Sequence, residues 1–190
     1  MYQKYQTEAL VLGSRELGEA DKTYTLFTKD FGLVRARASA VRREGSKMRY
    51  ALQNYSRASV SLVKGKRGWR VAGASALSSM NPRGNTSRIS AFARISALVT
   101  RLVQGEDTNQ YLFEALSQAH EALLQDAEVP TVEIVCAARV LYTLGYISSE
   151  ALDTALFSHT AYGIEHLREA ETLKDKLLSS INRAISETHL

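Results

Sequence analysis

The hydrophobic pattern of this 190-residue chain changes its period near residue 80. Before that point, short runs alternate between apolar and polar residues, as in a β-strand with one buried face. After it, apolar residues recur every three or four positions, as in amphipathic helices. The segment 81–85, which contains a proline and a glycine, separates the two patterns. We therefore predict an α+β multidomain protein with one domain at residues 1–80 and a second at residues 86–190.

The first domain is predicted to be a small β-barrel. The clearest strand is 33–39 (LVRARAS), in which three apolar residues share one face while Arg35 and Arg37 share the other. Five short strands, with a longer connection between the third and the fourth, are typical of a five-stranded OB-fold barrel. The predicted strands are 8–14, 22–28, 33–39, 57–63 and 70–77, and the last two flank a hairpin tip at 64–69.

The second domain is predicted to be an all-α helical bundle. Pro130 suits the first turn of a helix, and Gly145 suits the position after a helix end. A long apolar stripe along residues 165–187 predicts one long C-terminal helix. The other predicted helices are 89–103, 112–123, 130–145 and a short one at 150–157.

The charge of the chain is divided unequally between the two halves. Residues 1–80 contain 15 Lys and Arg against 6 Asp and Glu, a net charge of +9. Residues 81–190 contain 9 Lys and Arg against 14 Asp and Glu, a net charge of −5. A positive field confined to one domain is typical of a module that binds a polyanion such as nucleic acid. A merely solvated basic surface is the alternative.

The candidate nucleic-acid contacts lie on the third strand, in the loop after it and in the last hairpin. Lys and Arg bind phosphates and release condensed counterions, which makes the affinity depend on salt. Trp69 beside the hairpin cations suits the stacking of a base, although it also suits a core or rim position. The aromatic side chains Tyr24, Phe27 and Phe31 are expected in the barrel core. The predicted DNA-binding residues are Arg35, Arg37, Arg42, Arg43, Lys47, Arg49, Lys64, Lys66, Arg67 and Trp69.

Several classes of protein fit the sequence poorly. No run of 18 apolar residues suggests a membrane span, and residues 1–6 (MYQKYQ) do not resemble a secretory signal, so we expect a soluble intracellular protein. The single cysteine, Cys136, cannot form an internal disulfide and lies on the apolar stripe of its helix, which favours a buried side chain. The four histidines do not have the spacing of metal ligands.

One cluster of carboxylates leaves an enzymatic alternative open. Glu16, Glu19 and Asp21 lie in one polar segment, and such a cluster can hold Mg²⁺ in a nuclease. Carboxylates grouped in an ordinary surface loop are the favoured interpretation. We therefore expect a protein that is not an enzyme.

The ordered series of motifs in the first half resembles the RecO family of bacterial recombination mediators. The residues that carry the resemblance are 9–12 (ALVL), 15–22 (RELGEADK), 26–38 (LFTKDFGLVRARA), Arg42-Arg43 and 50–53 (YALQ). The helical half resembles the family only in shape, including the helix end Leu144-Gly145-Tyr146.

The resemblance implies a protein that binds single-stranded and double-stranded DNA and anneals complementary strands. It also implies that the protein works with RecR to load RecA onto DNA coated by single-strand-binding protein (SSB), in the cytoplasm at the nucleoid. Many family members have paired Cys-x-x-Cys motifs after the Leu-Gly-Tyr segment, which form a zinc site. Residues 147–166 contain no cysteine here, so we expect neither zinc nor another cofactor, and the chain is shorter than is usual for the family.

The resemblance further implies that the acidic and aromatic tail of SSB docks on the helical domain. An apolar groove with arginines at its rim suits such a tail, and we predict that Arg94, Arg101 and Arg139 contact it. The alternative is that these arginines cover the apolar surface of their own helices. A barrel that binds acidic proteins or nucleic acid as an adaptor, without mediator activity, also remains open.

Overall fold

The structure is a computed structural model that describes residues 3–80, 86–125, 127–150 and 152–188. The chain forms two compact units. The first runs from the N-terminus to Gly84 and includes Gln104–Asn109, and the second contains the rest. The boundary predicted at 81–85 lies outside the described residues, and Gln104–Asn109 lie within the range predicted for the second domain. No helix in the described part of the chain is long and apolar enough to cross a membrane.

The first unit is a closed five-stranded barrel, as predicted. Its strands follow one another around the barrel in the order β1-β2-β3-β5-β4, and β4 closes on β1. All pairs are antiparallel except β3 with β5, which is parallel. Its elements are β1 Lys4–Leu17, β2 Asp21–Thr28, β3 Gly32–Ala38, α1 Met48–Ala51, β4 Ser56–Gly65 and β5 Gly68–Ser79.

Alternation along the strands builds the barrel core. On β3, Val34, Ala36 and Ala38 are fully buried, whereas Arg35 and Arg37 are exposed, as the period of two requires. Tyr24 and Phe27 are buried, and Phe31 packs against the core, which confirms the aromatic positions expected from the sequence. Four of the five strands are longer than predicted, and β3 has the predicted length but begins one residue earlier. The β4–β5 turn is correspondingly short, with only Lys66 and Arg67 between the strands.

The connection between β3 and β4 contains one element that the pattern did not reveal. Helix α1 has only four residues and buries a single side chain, Ala51. A helix this short has no repeat from which a period of 3.6 can be recognised. It packs against β5.

The second unit is a helical bundle arranged around α4. This helix buries eight residues and packs against α2, α3, α5 and α6. Pro130 occupies its first turn, and Gly145, with a positive φ of 82°, follows its end. The helices are α2 Thr86–Leu102, α3 Gln110–Leu124, α4 Val129–Thr143, α5 Ile164–Thr172 and α6 Lys174–Glu187, with a single 3₁₀ turn at Ala155–Phe157.

The prediction of one long C-terminal helix was wrong, because the structure has two helices in its place. The chain turns at Leu173, which ends α5 and precedes α6. The apolar stripe predicted for residues 165–187 belongs mainly to α6, which buries Leu177, Ile181 and Ala184, whereas α5 buries Ala170. The break at Leu173 therefore separates two helices that each bury their own face. In the described part of the short helix predicted at 150–157, only Ala155–Phe157 are helical, as the 3₁₀ turn.

Candidate nucleic-acid interface

Three exposed arginines lie on neighbouring strands of the barrel. Arg35 and Arg37 project from the outer face of β3, and Arg37 is in register with Arg70 at the start of β5. Cross-strand partners project from the same face of a sheet. Arg37 and Arg70 are thus adjacent, and Arg35 lies two residues away along β3, about 7 Å for a strand.

The register extends this row at both ends. Ala36 pairs with Trp69, so the two-residue tip Lys66-Arg67 lies just before the level of Arg35. At the other end, the charge of Arg43 acts on the Asp21 carboxylate, to which Arg37 also donates. We call the set Arg35, Arg37, Arg43, Lys66, Arg67 and Arg70 the basic stripe. All six side chains are exposed, and within the described residues only Arg37 forms an ion pair.

Asp21 organises the end of the stripe. Its carboxylate accepts hydrogen bonds from the backbone N–H of Ala40 at 2.7 Å and from Nε of Arg37 at 3.0 Å. The Ala40 N–H, the Arg37 hydrogen bond and the charges of Arg37 and Arg43 hold the pKa of Asp21 below its usual value. The carboxylate therefore fixes the start of the β3–β4 loop and orients Arg37.

The acidic segment considered for Mg²⁺ has other contacts. Asp21 is engaged with Arg37 and Ala40, and Glu16 lies 3.4 Å from a guanidinium nitrogen of Arg42. No three His, Cys, Asp or Glu side chains of the described residues are arranged to hold a metal ion. These contacts favour the interpretation of the cluster as a surface segment.

The remaining loop cations differ in their contacts. Arg42 folds back on the β1–β2 turn, where it donates to the carbonyl of Gly18 at 3.1 Å and meets Glu16. Lys47 immediately precedes α1, and Arg49 lies within it. Both side chains are exposed. The structure thus brings Arg35, Arg37 and Arg43 together, while Lys47 and Arg49 lie on a separate element.

Trp69 is not an exposed stacking surface. Its side chain is 6% exposed and belongs to the barrel core. Its ring contacts those of Tyr5 and Phe31 with centroids 5.7 and 5.3 Å away. The prediction that Trp69 stacks on a base therefore needs correction. The ring is buried against the rings of Tyr5 and Phe31 and has no exposed face on which a base could stack. The core position that the sequence also allowed is the one observed.

Lys64 and Trp69 share an acidic partner within the barrel unit. Lys64 Nζ donates to Glu106 Oε2 at 2.6 Å, and Trp69 Nε1 donates to Glu106 Oε1 at 2.9 Å. Lys64 Nζ also lies 5.0 Å from the centroid of the Trp69 ring. Hydrogen bonding from Lys64 lowers the pKa of Glu106. Lys64, a predicted phosphate ligand, therefore already holds a carboxylate.

Two residues of this region were missed from the sequence. Arg70 alternates with the buried Trp69 and Val71, so the period of two could have identified it as an outward-facing cation. Glu106 lies 42 residues from Lys64 in the acidic half of the chain, and no local pattern connects the two. Only the fold brings Glu106 to the hairpin.

Arg139 is a structural residue of the helical unit. Its side chain is fully buried and donates to the carbonyls of Leu156, Thr160 and Ala161 at 2.9 to 3.0 Å. Its guanidinium also lies 4.5 Å from the centroid of the Tyr162 ring. We correct the prediction that Arg139 contacts a partner, because none of its side chain reaches the surface. It instead fixes the segment 156–161 that follows α4.

Arg94 and Arg101 line a groove between α2, α4 and α6. The groove has a volume of about 560 Å³ and is walled by apolar residues that include Leu98, Ile134 and Ile181. Arg94 is paired with Glu133, with Nη2 2.7 Å from Oε2, and this partner raises the pKa of Arg94. Arg101 is exposed, and no described carboxylate pairs with it.

Cys136 has the environment of a core residue. Its side chain is fully buried, as predicted, and burial raises the pKa of its thiol to about 11. A thiol is nucleophilic only as the thiolate, so this cysteine is unreactive at neutral pH.

Comparisons with known proteins match both halves of the chain. The family model described as Recombination protein O N terminal matches residues 1–80, and the one described as Recombination protein O C terminal matches residues 83–149. The DNA repair protein RecO from two strains of Desulfitobacterium hafniense, DCB-2 and Y51, is 42% identical over 62 residues. The aligned segment covers 33% of this chain and 23% of each relative.

Proposed function

Since the chain belongs to the RecO family, we propose that it is a recombination mediator in DNA repair. In this proposal the barrel binds single-stranded and double-stranded DNA and anneals complementary strands. With RecR, the protein helps to load RecA onto single strands coated by SSB. The basic stripe is the observation that carries the proposal, because its exposed cations form a row that suits contact with successive phosphates.

The stripe suits binding that does not depend on base sequence. Lys and Arg side chains on a strand face contact the sugar-phosphate backbone, which both strands of any DNA present. Weak, salt-dependent contacts of this kind hold two strands while leaving their bases free to pair. No side chain has to perform a chemical step, so the proposal does not require an enzyme.

The direct test is a pair of variants that change the net charge equally. In the first, Arg35 and Arg70 are both replaced by Glu, and in the control Arg168 and Arg183, which are exposed on α5 and α6, are replaced in the same way. We expect the first variant to lose DNA affinity by more than tenfold, because each reversal both removes a phosphate ligand and adds repulsion. The control should bind as the unchanged protein does. Fluorescence anisotropy with labelled oligonucleotides measures both.

Annealing distinguishes a mediator from an adaptor that only binds DNA. The assay follows the pairing of complementary oligonucleotides precoated with SSB, with and without RecR. A mediator accelerates pairing on the coated strands, and the variant at Arg35 and Arg70 does not. Binding to bare DNA without any acceleration would favour the adaptor.

The groove between α2, α4 and α6 supports the proposed contact with the SSB tail. It combines apolar walls with the exposed cation of Arg101, and a tail that is both acidic and aromatic needs both features. Arg94 contributes less in this proposal, because Glu133 already neutralises its charge.

A further inference from the structure

The contact of Glu106 with the β4–β5 hairpin has a feature that its structural role does not require. Two donors, Lys64 Nζ and Trp69 Nε1, converge on the two oxygens of one carboxylate. A cation beside a neutral N–H donor is a common arrangement for binding a phosphate oxygen pair. The hairpin therefore has the donors of an anion site, and Glu106 supplies an anion from within the chain.

The carboxylate is held in place by its own backbone segment. Glu106 lies in Gln104–Asn109, which belongs to the barrel unit. The next residue, Asp107, passes so close to Gly32 that a Cβ at Gly32 would overlap its backbone carbonyl. The segment thus packs against the barrel beside the aromatic side chains of Phe31 and Trp69. This packing positions the Glu106 carboxylate next to the hairpin.

Both ends of the ion pair remain accessible to a ligand. The Lys64 side chain is 55% exposed, and that of Glu106 is 45% exposed. An exposed ion pair is weak because water and salt compete with it. An incoming phosphate can therefore replace the carboxylate at Lys64 without unfolding the barrel.

The neighbouring cations favour a nucleic acid as the competing anion. Lys66 and Arg67 form the tip of the same hairpin, and both are exposed without a described carboxylate partner. A polyanion that contacts this tip brings successive phosphates past Lys64, whereas a single small anion gains nothing from the tip. Glu106 places one negative charge in the path of such a ligand.

We propose that Glu106 is an internal competitor for a nucleic-acid phosphate at Lys64 and Trp69, and that DNA displaces it on binding. This inference rests on the proposed DNA binding of the barrel and adds a regulatory contact to it. The competitor lowers the affinity of the hairpin for DNA without removing its cations. Weak binding of this kind lets a strand be released after it has paired.

A double-mutant cycle tests the competition. Glu106→Gln keeps an acceptor for Trp69 Nε1 but removes the charge that holds Lys64, so the variant should fold normally. We expect it to bind a labelled single-stranded oligonucleotide about two- to fivefold more tightly, which is the strength of an exposed ion pair. In a Lys64→Ala background the same replacement should change nothing. Glu114→Gln, an exposed change on α3 with equal effect on net charge, should also leave affinity unaltered.

A second readout uses the unchanged protein. Trp69 is the single tryptophan of the chain, so its fluorescence reports directly on the partner of its indole N–H. Saturating DNA should change this emission, because a phosphate replaces the carboxylate. Unaltered emission at saturation, or an equal gain of affinity from Glu106→Gln with and without Lys64, would overturn the competition while leaving DNA binding intact. Absence of any anisotropy change with DNA would instead overturn the proposed function and this inference together.

Discussion

Four arginines, two from each unit, have contrasting environments. In the barrel, Arg35 and Arg70 are exposed on neighbouring strands and pair with no described carboxylate. In the helical unit, Arg139 is buried against three carbonyls and Arg94 is paired with Glu133. The comparison shows that the number of cations in a segment does not identify a binding surface. Exposure and the lack of a carboxylate partner are what make a cation available to a polyanion.

Among the substitutions that test this comparison, the largest change in stability is expected at Arg139. Replacing it with Met should lower the free energy of unfolding by about 3 kcal/mol, because three buried carbonyls lose their donor. Urea unfolding followed by circular dichroism at 222 nm measures the loss. Arg183→Met on the exposed face of α6 is the control and should change stability by less than about 0.5 kcal/mol. Equal losses would contradict the structural role of Arg139.

A second experiment tests whether Gln104–Asn109 truly belong with the barrel. Gly18 and Gly32 both have positive φ values, 63° and 59°. Only at Gly32 would a Cβ meet another part of the chain, the backbone of Asp107. Gly18→Ala should cost about 1 kcal/mol for its backbone conformation alone, and Gly32→Ala should cost about 1 to 2 kcal/mol more for the overlap. Thermal or urea unfolding measures both losses of stability. Similar losses at the two positions would contradict the packing of Gln104–Asn109 against the barrel.

A smaller effect is expected at the helical groove. Arg101→Ala should weaken the binding of a synthetic SSB tail peptide by about 0.5 to 1 kcal/mol, the strength of an exposed charge pair. Arg94→Ala should weaken it less, because Glu133 already neutralises that arginine. Calorimetric titration of the two variants with the same peptide gives the order. A greater loss of peptide affinity from Arg94→Ala than from Arg101→Ala would contradict the view that a carboxylate partner makes an arginine less available to an acidic ligand.

The smallest effect concerns Asp21 and depends on pH. Its pKa is depressed in the folded protein by Ala40 and Arg37, so its contribution to stability is present above the ordinary carboxyl pKa of about 4. That contribution disappears as the pH falls through the lower pKa of the folded state. Asp21→Asn should therefore be slightly less stable than the unchanged protein at pH 7, and the difference should vanish in acid. Urea unfolding of both proteins over a series of pH values measures the difference, and a difference that persists unchanged in acid would contradict the role of the Asp21 carboxylate.

Much of the fold follows from local patterns. The alternation of β3 placed Arg35 and Arg37 outside the barrel correctly, and Pro130 and Gly145 marked the ends of α4. Patterns of this kind depend only on neighbours in sequence, which is why they succeed. The same alternation around Trp69 could have decided between an exposed stacking ring and a core position, both of which its sequence context allowed.

The parts that local patterns could not supply depend on distant contacts. Glu106 reaches Lys64 across 42 residues, and the parallel pairing of β3 with β5 is what brings Arg70 beside Arg37. Arg139 lies at helical spacing from the apolar residues Val135 and Cys136, but the carbonyls that satisfy its buried guanidinium come from residues 156–161, which no local pattern connects to it. The break at Leu173 has no local marker, because the sequence there contains neither glycine nor proline.

The salt dependence of DNA binding tests the role of the basic stripe most directly. The affinity for a single-stranded oligonucleotide is measured over a range of salt concentrations for the unchanged protein and for a variant with Arg35, Arg37 and Arg70 replaced by Ala. Each phosphate contact contributes about 0.7 to the slope of log affinity against log salt. We predict that the slope of the variant is shallower by about 2, while replacing Arg94 and Arg101 leaves it unchanged. An unaltered slope in the barrel variant would contradict the assignment of the stripe as the DNA-binding surface.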